Sequence, residues 1–139
     1  MIKVALDEGA YMPERAHDTD AGWDLRIPKR TVVPPNGNVV VNTGVHIEVP
    51  KECAGFLKSK SGLNVKNHLT GEGVIDVGYK GCVVVKLYNN SGEQYVFEAG
   101  DKLIQIVFVR INTDFMGQVP LSEFEESERG ENGFGSTGR

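Results

Sequence analysis

The stretch VVVNTGVHIEV, residues 39–49, alternates from one residue to the next. Its odd-numbered positions, from Val39 to Val49, are all apolar or β-branched, whereas most of the even-numbered positions between them are polar or glycine. A period of two is typical of a strand that buries one face and exposes the other. The sequence therefore predicts a strand here, bent or bulged at Gly44.

Strand-like patterns recur further along the chain. Residues 83–87 alternate in the same way before the turn-like NNSGE at 89–93, and residues 103–111, LIQIVFVRI, are apolar on both faces. A strand of this second kind is covered on both sides. In so small a protein we expect another subunit to supply the second cover.

Helical periodicity is almost absent. One short helix is predicted at about residues 62–69, and turns are predicted at 34–37 and 99–101. The chain has no repeat of fixed period and no interdomain linker. Many short strands separated by turns predict an all-β subunit, a jelly-roll-like distorted β-barrel with one short helix.

Length, composition and charge exclude several classes of protein. The 139 residues are sufficient for one domain with its own core, and 40% hydrophobic with 24% charged residues is ordinary for a folded chain. Residues 1–13 hold no apolar run long enough for a signal sequence or a spanning helix, so we expect no membrane association and a cytoplasmic location. A net charge of −4 argues against nucleic-acid binding but allows a small anionic ligand held by a local cation cluster.

The cysteines and histidines are few and scattered. Cys53 and Cys82 have no CxxC spacing, and the three histidines lie far apart in sequence. This spacing argues against a zinc site and favours two buried, reduced thiols.

Five polar, glycine-rich segments stand out from their surroundings. They are TDAGWDL (19–25), KSKSGL (58–63), GVIDVGYKG (73–81), GDKLIQ (100–105) and RGENGFGSTGR (129–139). Taken singly, each has a structural interpretation: a turn, a capped helix start, a hairpin rim, a buried amide and a flexible tail. Each also has a chemical one.

The chemical interpretations point to a phosphorylated ligand. A carboxylate such as Asp24 repels phosphates unless a hydrated cation, typically Mg²⁺, lies between them. A helix start at Ser61, with lysines beside it, is typical of an anion site. Asp76 and Tyr79 offer a base and an aromatic ring, and a turn near Gly78 is needed to bring both to one pocket.

Two segments keep both interpretations open. Gln105 interrupts an apolar strand, so its amide is either tied into the core or turned toward a ligand. The tail 129–139 either stays flexible or lies over a nucleotide, because it carries two arginines, two hydroxyls and one aromatic ring. No GxxxxGK string occurs, which excludes a P-loop.

In this order, the strings AGWDL (21–25), KSG (60–62), GVIDVGYKG (73–81), GDKLIQ (100–105) and RGENGFGSTG (129–138) resemble the five motifs of the trimeric dUTPase family. The third and fifth are the specific ones. The resemblance implies a homotrimer with sites shared between subunits. It also implies Mg²⁺-assisted in-line attack of water at the α-phosphorus of dUTP, giving dUMP and pyrophosphate. Such a reaction limits uracil incorporation into DNA and supplies dUMP for dTMP synthesis.

The resemblance gives the third segment the central role. Asp76 would bond the deoxyribose 3′-hydroxyl and orient the attacking water or act as its base. Tyr79 would pack against the sugar and leave no room for a 2′-hydroxyl. The backbone at Gly73, Val74 and Ile75 would hydrogen-bond uracil and exclude a 5-methyl group.

The resemblance assigns phosphate and metal contacts to three other segments. Ser61 and Gly62 would grip the phosphates, Gln105 would contact phosphate, and Asp24 would meet the water shell of Mg²⁺. Lys60, which the resemblance also assigns to phosphate, stands where the family usually has arginine. Lysine keeps the charge but loses the planar fork that suits bidentate phosphate contact.

The tail completes the site that the resemblance implies. Arg129, Ser136 and Thr137 would cover the β- and γ-phosphates, with Gly135 among them, while Phe134 stacks on the base. The predicted division is therefore a β-barrel core at 1–128 and an arm at 129–139 that closes over the nucleotide.

Two rival functions stay open at this point. A dCTP deaminase, or a bifunctional deaminase–dUTPase, on the same fold needs an acid/base residue beside the cytosine amino group, and Glu72 is the candidate. A regulatory module on the same fold would use its nucleotide state to control a protein partner, which intact catalytic motifs do not exclude.

Overall fold

Ten strands and two short helices make up the part of the chain that the computed structural model describes, residues 1–127 and Gly130. The strands are β1 Val4–Leu6, β2 Trp23–Arg26, β3 Thr31–Val33, β4 Asn38–Asn42, β5 Val45–Ile47, β6 Cys53–Lys58, β7 Leu69–Ile75, β8 Val84–Asn89, β9 Tyr95–Phe97 and β10 Lys102–Arg110. The helices are α1, Ser61–Asn67, and a 3₁₀ turn at Leu121–Glu123. Neither is long and apolar enough to cross a membrane.

All strand pairings are antiparallel. The largest sheet has the order β2-β10-β6-β7-β8-β4, and two further pairs, β1-β5 and β3-β9, complete the described strands. The main sheet curls into a half-barrel around an aliphatic core. The predicted all-β, jelly-roll-like fold with one short α-helix is therefore confirmed.

The alternating stretch 39–49 forms two strands rather than one. At Gly44 the backbone is left-handed (φ +67°), and there the chain leaves the pairing of β4 with β8 for that of β5 with β1. The predicted bend is confirmed, and the alternation continues through it, since the odd positions 41–49 are all buried. Thr43 is fully buried with its hydroxyl donating to the Val83 carbonyl at 2.7 Å.

The predicted helix lies one or two residues earlier than expected. It begins at Ser61 with Lys60 as its N-cap, and it ends where His68 adopts a left-handed conformation (φ 56°). The interpretation of Ser61 as a side-chain cap is wrong, because no side chain caps the start of α1.

Strand β10 lies second from one edge of the main sheet, between β2 and β6. Ile104 and Ile106 point into the core and are fully buried. On the opposite face Val107 is half-buried, Val109 is 45% exposed, and Ile111 just beyond the strand is 41% exposed. The chain itself therefore covers one face of this apolar strand well and leaves the other partly open.

The absence of a side chain at Gly71 in β7 allows neighbouring residues to pack directly against its backbone. A Cβ at this position would lie 2.8 Å from Cδ2 of Leu87, 3.0 Å from Cδ1 of Ile104 and 3.1 Å from the Lys86 carbonyl oxygen. The last of these is backbone and cannot move aside easily. Packing therefore requires glycine at position 71.

We expect Gly71→Ala to lower the free energy of unfolding by about 1–3 kcal/mol, the usual cost of overpacking. Gly92→Ala is the matched control, because a Cβ there meets nothing within 4 Å. Urea unfolding at one fixed protein concentration measures both. Equal midpoints for the two variants would contradict the packing argument.

Candidate active site

A buried carboxylate ties three of the five segments together. Asp24 in β2 is only 6% exposed, and its Oδ1 accepts a hydrogen bond from Nζ of Lys60 while Oδ2 accepts one from Nζ of Lys102 at 2.8 Å. Lys60 precedes α1, and Lys102 begins β10. One carboxylate thus holds a lysine from each of two other segments.

The charge of Asp24 is stabilised by this arrangement. Burial alone would raise the pKa of the Asp24 carboxyl, but hydrogen bonds from Lys102 and Lys60, with the positive charge of both, outweigh burial and leave the pKa below its ordinary value. Asp24 is therefore an anion at neutral pH.

Gln105 faces the same place from the neighbouring strand, because the register of β10 and β2 pairs Gln105 with Asp24. Its Nε2 donates to the Ser59 carbonyl at 3.3 Å, and its Oε1 would lie 2.5 Å from a Cβ at position 22. A side chain at position 22 would therefore force the Gln105 side chain to move. The Gln105 amide is tied to a loop, and it also lines the cavity described next. Its contact with a ligand stays a prediction.

These groups line a cavity of ≈ 300 Å³. Apart from Ala16, its walls come from the first, second and fourth segments, and include Asp24, Lys60, Ser61, Gly62, Lys102 and Gln105. Two ammonium groups, a hydroxyl and an amide therefore converge on one open, polar space. Such a set of donors suits a phosphorylated ligand.

The third segment forms a turn at the end of β7. Gly78 has a left-handed backbone (φ +88°), the Tyr79 N–H donates to the Asp76 carbonyl at 3.3 Å, and the Tyr79 hydroxyl donates to the Cys82 carbonyl at 3.0 Å. The turn that the spacing of Asp76 and Tyr79 required near Gly78 is thus confirmed. Asp76 is exposed, and Tyr79 is 45% exposed.

The backbone before Asp76 has an open edge. Strand β7 pairs with β8 only over Leu69–Gly71, and then with β6 over Glu72–Ile75. Within the described chain, Gly73 and Val74 therefore have no β8 partner on their other side. Peptide groups at such an edge can hydrogen-bond a planar ligand.

The single chain does not bring all of the predicted site residues together. No residue from 73–81 lines the ≈ 300 Å³ cavity, and Tyr79 instead lines a second cavity of ≈ 400 Å³ with β1 and β5. Five predicted residues of the fifth segment lie outside the described part of the chain, namely Arg129, Phe134, Gly135, Ser136 and Thr137.

Sequence reasoning missed Lys102 and the role of Gly22. Lys102 lies inside the fourth segment, directly before the apolar run, and a cation at that position could have been matched with Asp24. The close approach of Gln105 to position 22 depends on the register of β2 and β10, which the sequence does not reveal. Glu72, the deaminase candidate, accepts from Nζ of Lys58 at 3.0 Å.

Comparison with known proteins identifies relatives over nearly the whole chain. The family model described as dUTPase matches residues 8–138. The deoxyuridine 5′-triphosphate nucleotidohydrolase of Yarrowia lipolytica is 40% identical over 139 residues, covering 99% of this chain and 88% of that protein. The protein of the same name from Clostridium tetani is 35% identical, with 96% and 93% covered.

Solved structures agree with the sequence relatives. The Staphylococcus bacteriophage 80alpha dUTPase with dUPNHPP has a TM-score of 0.91 at 34% identity, covering 100% of this chain and 99% of that one. It belongs to a study described as showing that phage dUTPases control transfer of virulence genes. A dUTPase variant from phage phi11 of S. aureus, with a TM-score of 0.82 at 34% identity over 89% of this chain and 99% of that one, is described as revealing the coordination of a structural Mg(II) ion.

The curled antiparallel sheet thus carries a polar cavity, lined by two lysines, that suits a small phosphorylated molecule. The family match spans nearly all of that architecture. The chain belongs to the dUTPase family. This membership confirms the resemblance drawn from the five motifs, and with it the predicted enzyme class, a dUTP diphosphatase that hydrolyses dUTP.

The ion pairs of Asp24 predict a particular pH dependence of stability. A carboxyl whose folded pKa lies below its unfolded value stabilises the fold above the unfolded pKa, about 3.9, and this contribution is lost as the pH falls through the folded pKa. When the pH falls from neutral to about 3, the free energy of unfolding should therefore decrease less in Asp24→Asn than in the parent. Asp18→Asn, which removes an exposed carboxylate six residues earlier in the chain, is the control for the loss of one negative charge. Parallel pH profiles for Asp24→Asn and the parent would refute the stabilising role of the pairs.

Proposed function

We propose that the protein hydrolyses dUTP by in-line attack of water at the α-phosphorus, with pyrophosphate as leaving group. The observation that carries this proposal is the ≈ 300 Å³ cavity in which Lys60 and Lys102 share the buried Asp24. Phosphoryl transfer needs positioning and neutralisation of charge on the leaving group more than covalent chemistry. Two ammonium groups beside a hydroxyl and an amide supply the means for that.

Phosphate binding would exchange ionic partners in this cavity. With both oxygens of Asp24 bonded to lysines, the lysines are held close to the position of the ligand. An arriving triphosphate would compete with Asp24 for the two ammonium groups. As the lysines turn toward phosphate, Asp24 would gain the capacity to accept from the water shell of a cation.

Mg²⁺ fits this cavity only if it contacts Asp24 through water and not directly. Both oxygens of Asp24 are engaged and the side chain is nearly buried, so the carboxylate is poorly placed for direct ligation. Mg²⁺ commonly keeps several waters and is held chiefly by substrate phosphates. When bound, it would supply charge neutralisation on the triphosphate, and Asp24 would contact its water shell.

The hairpin after β7 would supply the remaining chemistry and the selectivity. Asp76 is exposed and follows directly on the open edge at Gly73–Ile75, so base and sugar can bind within reach of its carboxylate. Tyr79, fixed by its hydrogen bond to the Cys82 carbonyl, would pack against the sugar. In this role Asp76 orients the attacking water or accepts its proton.

The separation of hairpin and cavity supports a shared site. We infer a homotrimer in which the hairpin of one subunit meets the cavity of another, while the tail 129–139 of a further subunit closes over the nucleotide. The partly open face of β10, with Val109 and Ile111, supports apolar contact between subunits. The division into a core at 1–128 and an arm at 129–139 is part of this proposal.

The cellular consequences follow from the reaction. Removal of dUTP limits uracil incorporation into DNA, and dUMP is the precursor of dTMP. A cytoplasmic location stays a prediction. A regulatory protein partner also stays a prediction, and the likeness to the 80alpha dUTPase makes it worth testing.

Pyrophosphate release from dUTP, UTP, dTTP and dCTP, each with Mg²⁺, tests the proposed function. We expect kcat/KM for dUTP to exceed that for UTP and dTTP by at least about 10²-fold, because rejection by steric overlap discriminates strongly. Ammonia release from dCTP should be absent. Comparable turnover of UTP or dTTP would overturn the proposal, whereas ammonia release from dCTP would favour a deaminase or a bifunctional enzyme.

Two tyrosine variants test whether the proposed contact of Tyr79 with the sugar determines selectivity against a 2′-hydroxyl. Tyr79→Ala should raise the ratio of UTP to dUTP turnover, since it removes the group that excludes a 2′-hydroxyl. Tyr88→Ala is the control, because Tyr88 has the same 45% exposure but lies on β8. An unchanged ratio in Tyr79→Ala would show that selectivity against the 2′-hydroxyl arises elsewhere.

A further inference from the structure

A carboxylate, an imidazole and a thiol meet beside the hairpin, outside the ≈ 300 Å³ cavity. Nε2 of His46 lies 3.2 Å from Oδ1 of Asp7 and 3.1 Å from Sγ of Cys82, and that Sγ lies 3.1 Å from Oδ2 of Asp7. All three potential donor atoms lie within 4.8 Å of one another. The proposed hydrolysis uses none of these residues.

Three distant segments build this cluster. Asp7 follows β1, His46 lies in β5, and Cys82 precedes β8. The Asp7 N–H donates to the Gly44 carbonyl at 2.8 Å, and a Cβ on Gly44 would lie 3.3 Å from the Cβ of Asp7. The left-handed turn that moves the chain from β4 to β5 therefore also fixes the position of the carboxylate.

A backbone carbonyl on the Nδ1 side of His46 fixes the orientation of its imidazole ring. Nδ1 of His46 lies 2.8 Å from the carbonyl oxygen of Lys80, and since a carbonyl only accepts, Nδ1 carries a proton. The other ring nitrogen, Nε2, is then directed at the carboxylate and the sulfur. A backbone carbonyl behind the ring is the usual support of a histidine that ligates a metal.

The electrostatics of the cluster require a positive centre. A lone pair on Nε2 and the oxygens of Asp7 are both acceptors, so a proton or a cation must lie between them. A divalent cation would replace the proton on Nε2 and the thiol proton of Cys82, both of which pass to solvent. Two positive charges would then enter as two leave, and the net charge of the cluster would not change.

The donor set and spacing suit zinc. Tetrahedral Zn²⁺ with ordinary bond lengths separates its N, O and S ligands by about 3.3–3.6 Å, slightly more than the separations here. Small outward movements of partly exposed side chains would open the required space, since the side chains of His46 and Asp7 are 32% and 56% exposed. Thiolate and imidazole prefer Zn²⁺ to Mg²⁺, which distinguishes this cluster from a phosphate-bound Mg²⁺.

We propose that Asp7, His46 and Cys82 form a zinc site, with one oxygen, Nε2 and Sγ as ligands and water in a fourth position. The site would also stiffen the hairpin. His46 holds the Lys80 carbonyl, and the Cys82 carbonyl holds the Tyr79 hydroxyl, so a metal on the two side chains would fix the backbone at 79–82.

Titration with Co²⁺ in the presence of excess Mg²⁺ tests the site directly. The full chain should bind one Co²⁺ with a thiolate-to-metal charge-transfer band in the near ultraviolet, and Zn²⁺ should displace it. Cys82→Ser should lose the band, and His46→Gln should bind at least about 10-fold more weakly. Cys53→Ser is the matched control and should keep the band, because Cys53 lies in β6, away from the cluster.

A second measurement avoids variants of the cluster itself. In Cys53→Ser the single thiol is Cys82, and Zn²⁺ should slow its reaction with a disulfide reagent at least about 10-fold. No charge-transfer band in the full chain, a band that survives in Cys82→Ser, or an unchanged thiol reaction rate would each show that the cluster is a hydrogen-bonded network only. None of these readouts depends on dUTP hydrolysis.

Discussion

A carboxylate that is almost removed from water needs its charge balanced inside the protein. Asp24 obtains that balance from Lys60 and Lys102, and the need for it fixes the relative positions of β2, the start of α1 and the start of β10. The same contacts leave two ammonium groups at the wall of a polar cavity. In the proposed mechanism stability and ligand binding use the same charges, and a triphosphate would replace Asp24 as partner of the lysines rather than enter a site without counter-charges.

The second constraint is the position of the hairpin. Asp76 and Tyr79 follow β7 on a turn that lines a different cavity from the one holding Asp24. We propose that a nucleotide contacts the lysines of one subunit and the hairpin of another. The partly open face of β10 offers apolar surface for such an assembly. In the proposed arrangement, the position of the hairpin relative to the cavity explains both the shared site and the oligomer.

Local patterns in the sequence predicted a large part of this structure. The period of two at 39–49 gave the buried face correctly, and the glycine-rich spacing around Gly78 anticipated the turn that Asp76 and Tyr79 need. Contacts between distant segments could not be predicted in the same way. The change of sheet at Gly44, the second lysine on Asp24 and the meeting of Asp7, His46 and Cys82 all depend on strand register, which one sequence does not encode locally.

The central claim, a site shared between subunits, is tested by mixing two inactive proteins. Asp76→Asn should lose about 10²–10⁴ in turnover, and a chain ending at Glu128 should fold but hydrolyse little dUTP. Refolded together in equal amounts, they should form mixed trimers in which about a quarter of all sites combine an intact hairpin with an intact tail. Activity near that fraction of the parent is the predicted result. Mixed trimers that native mass spectrometry detects but that remain inactive would contradict the account.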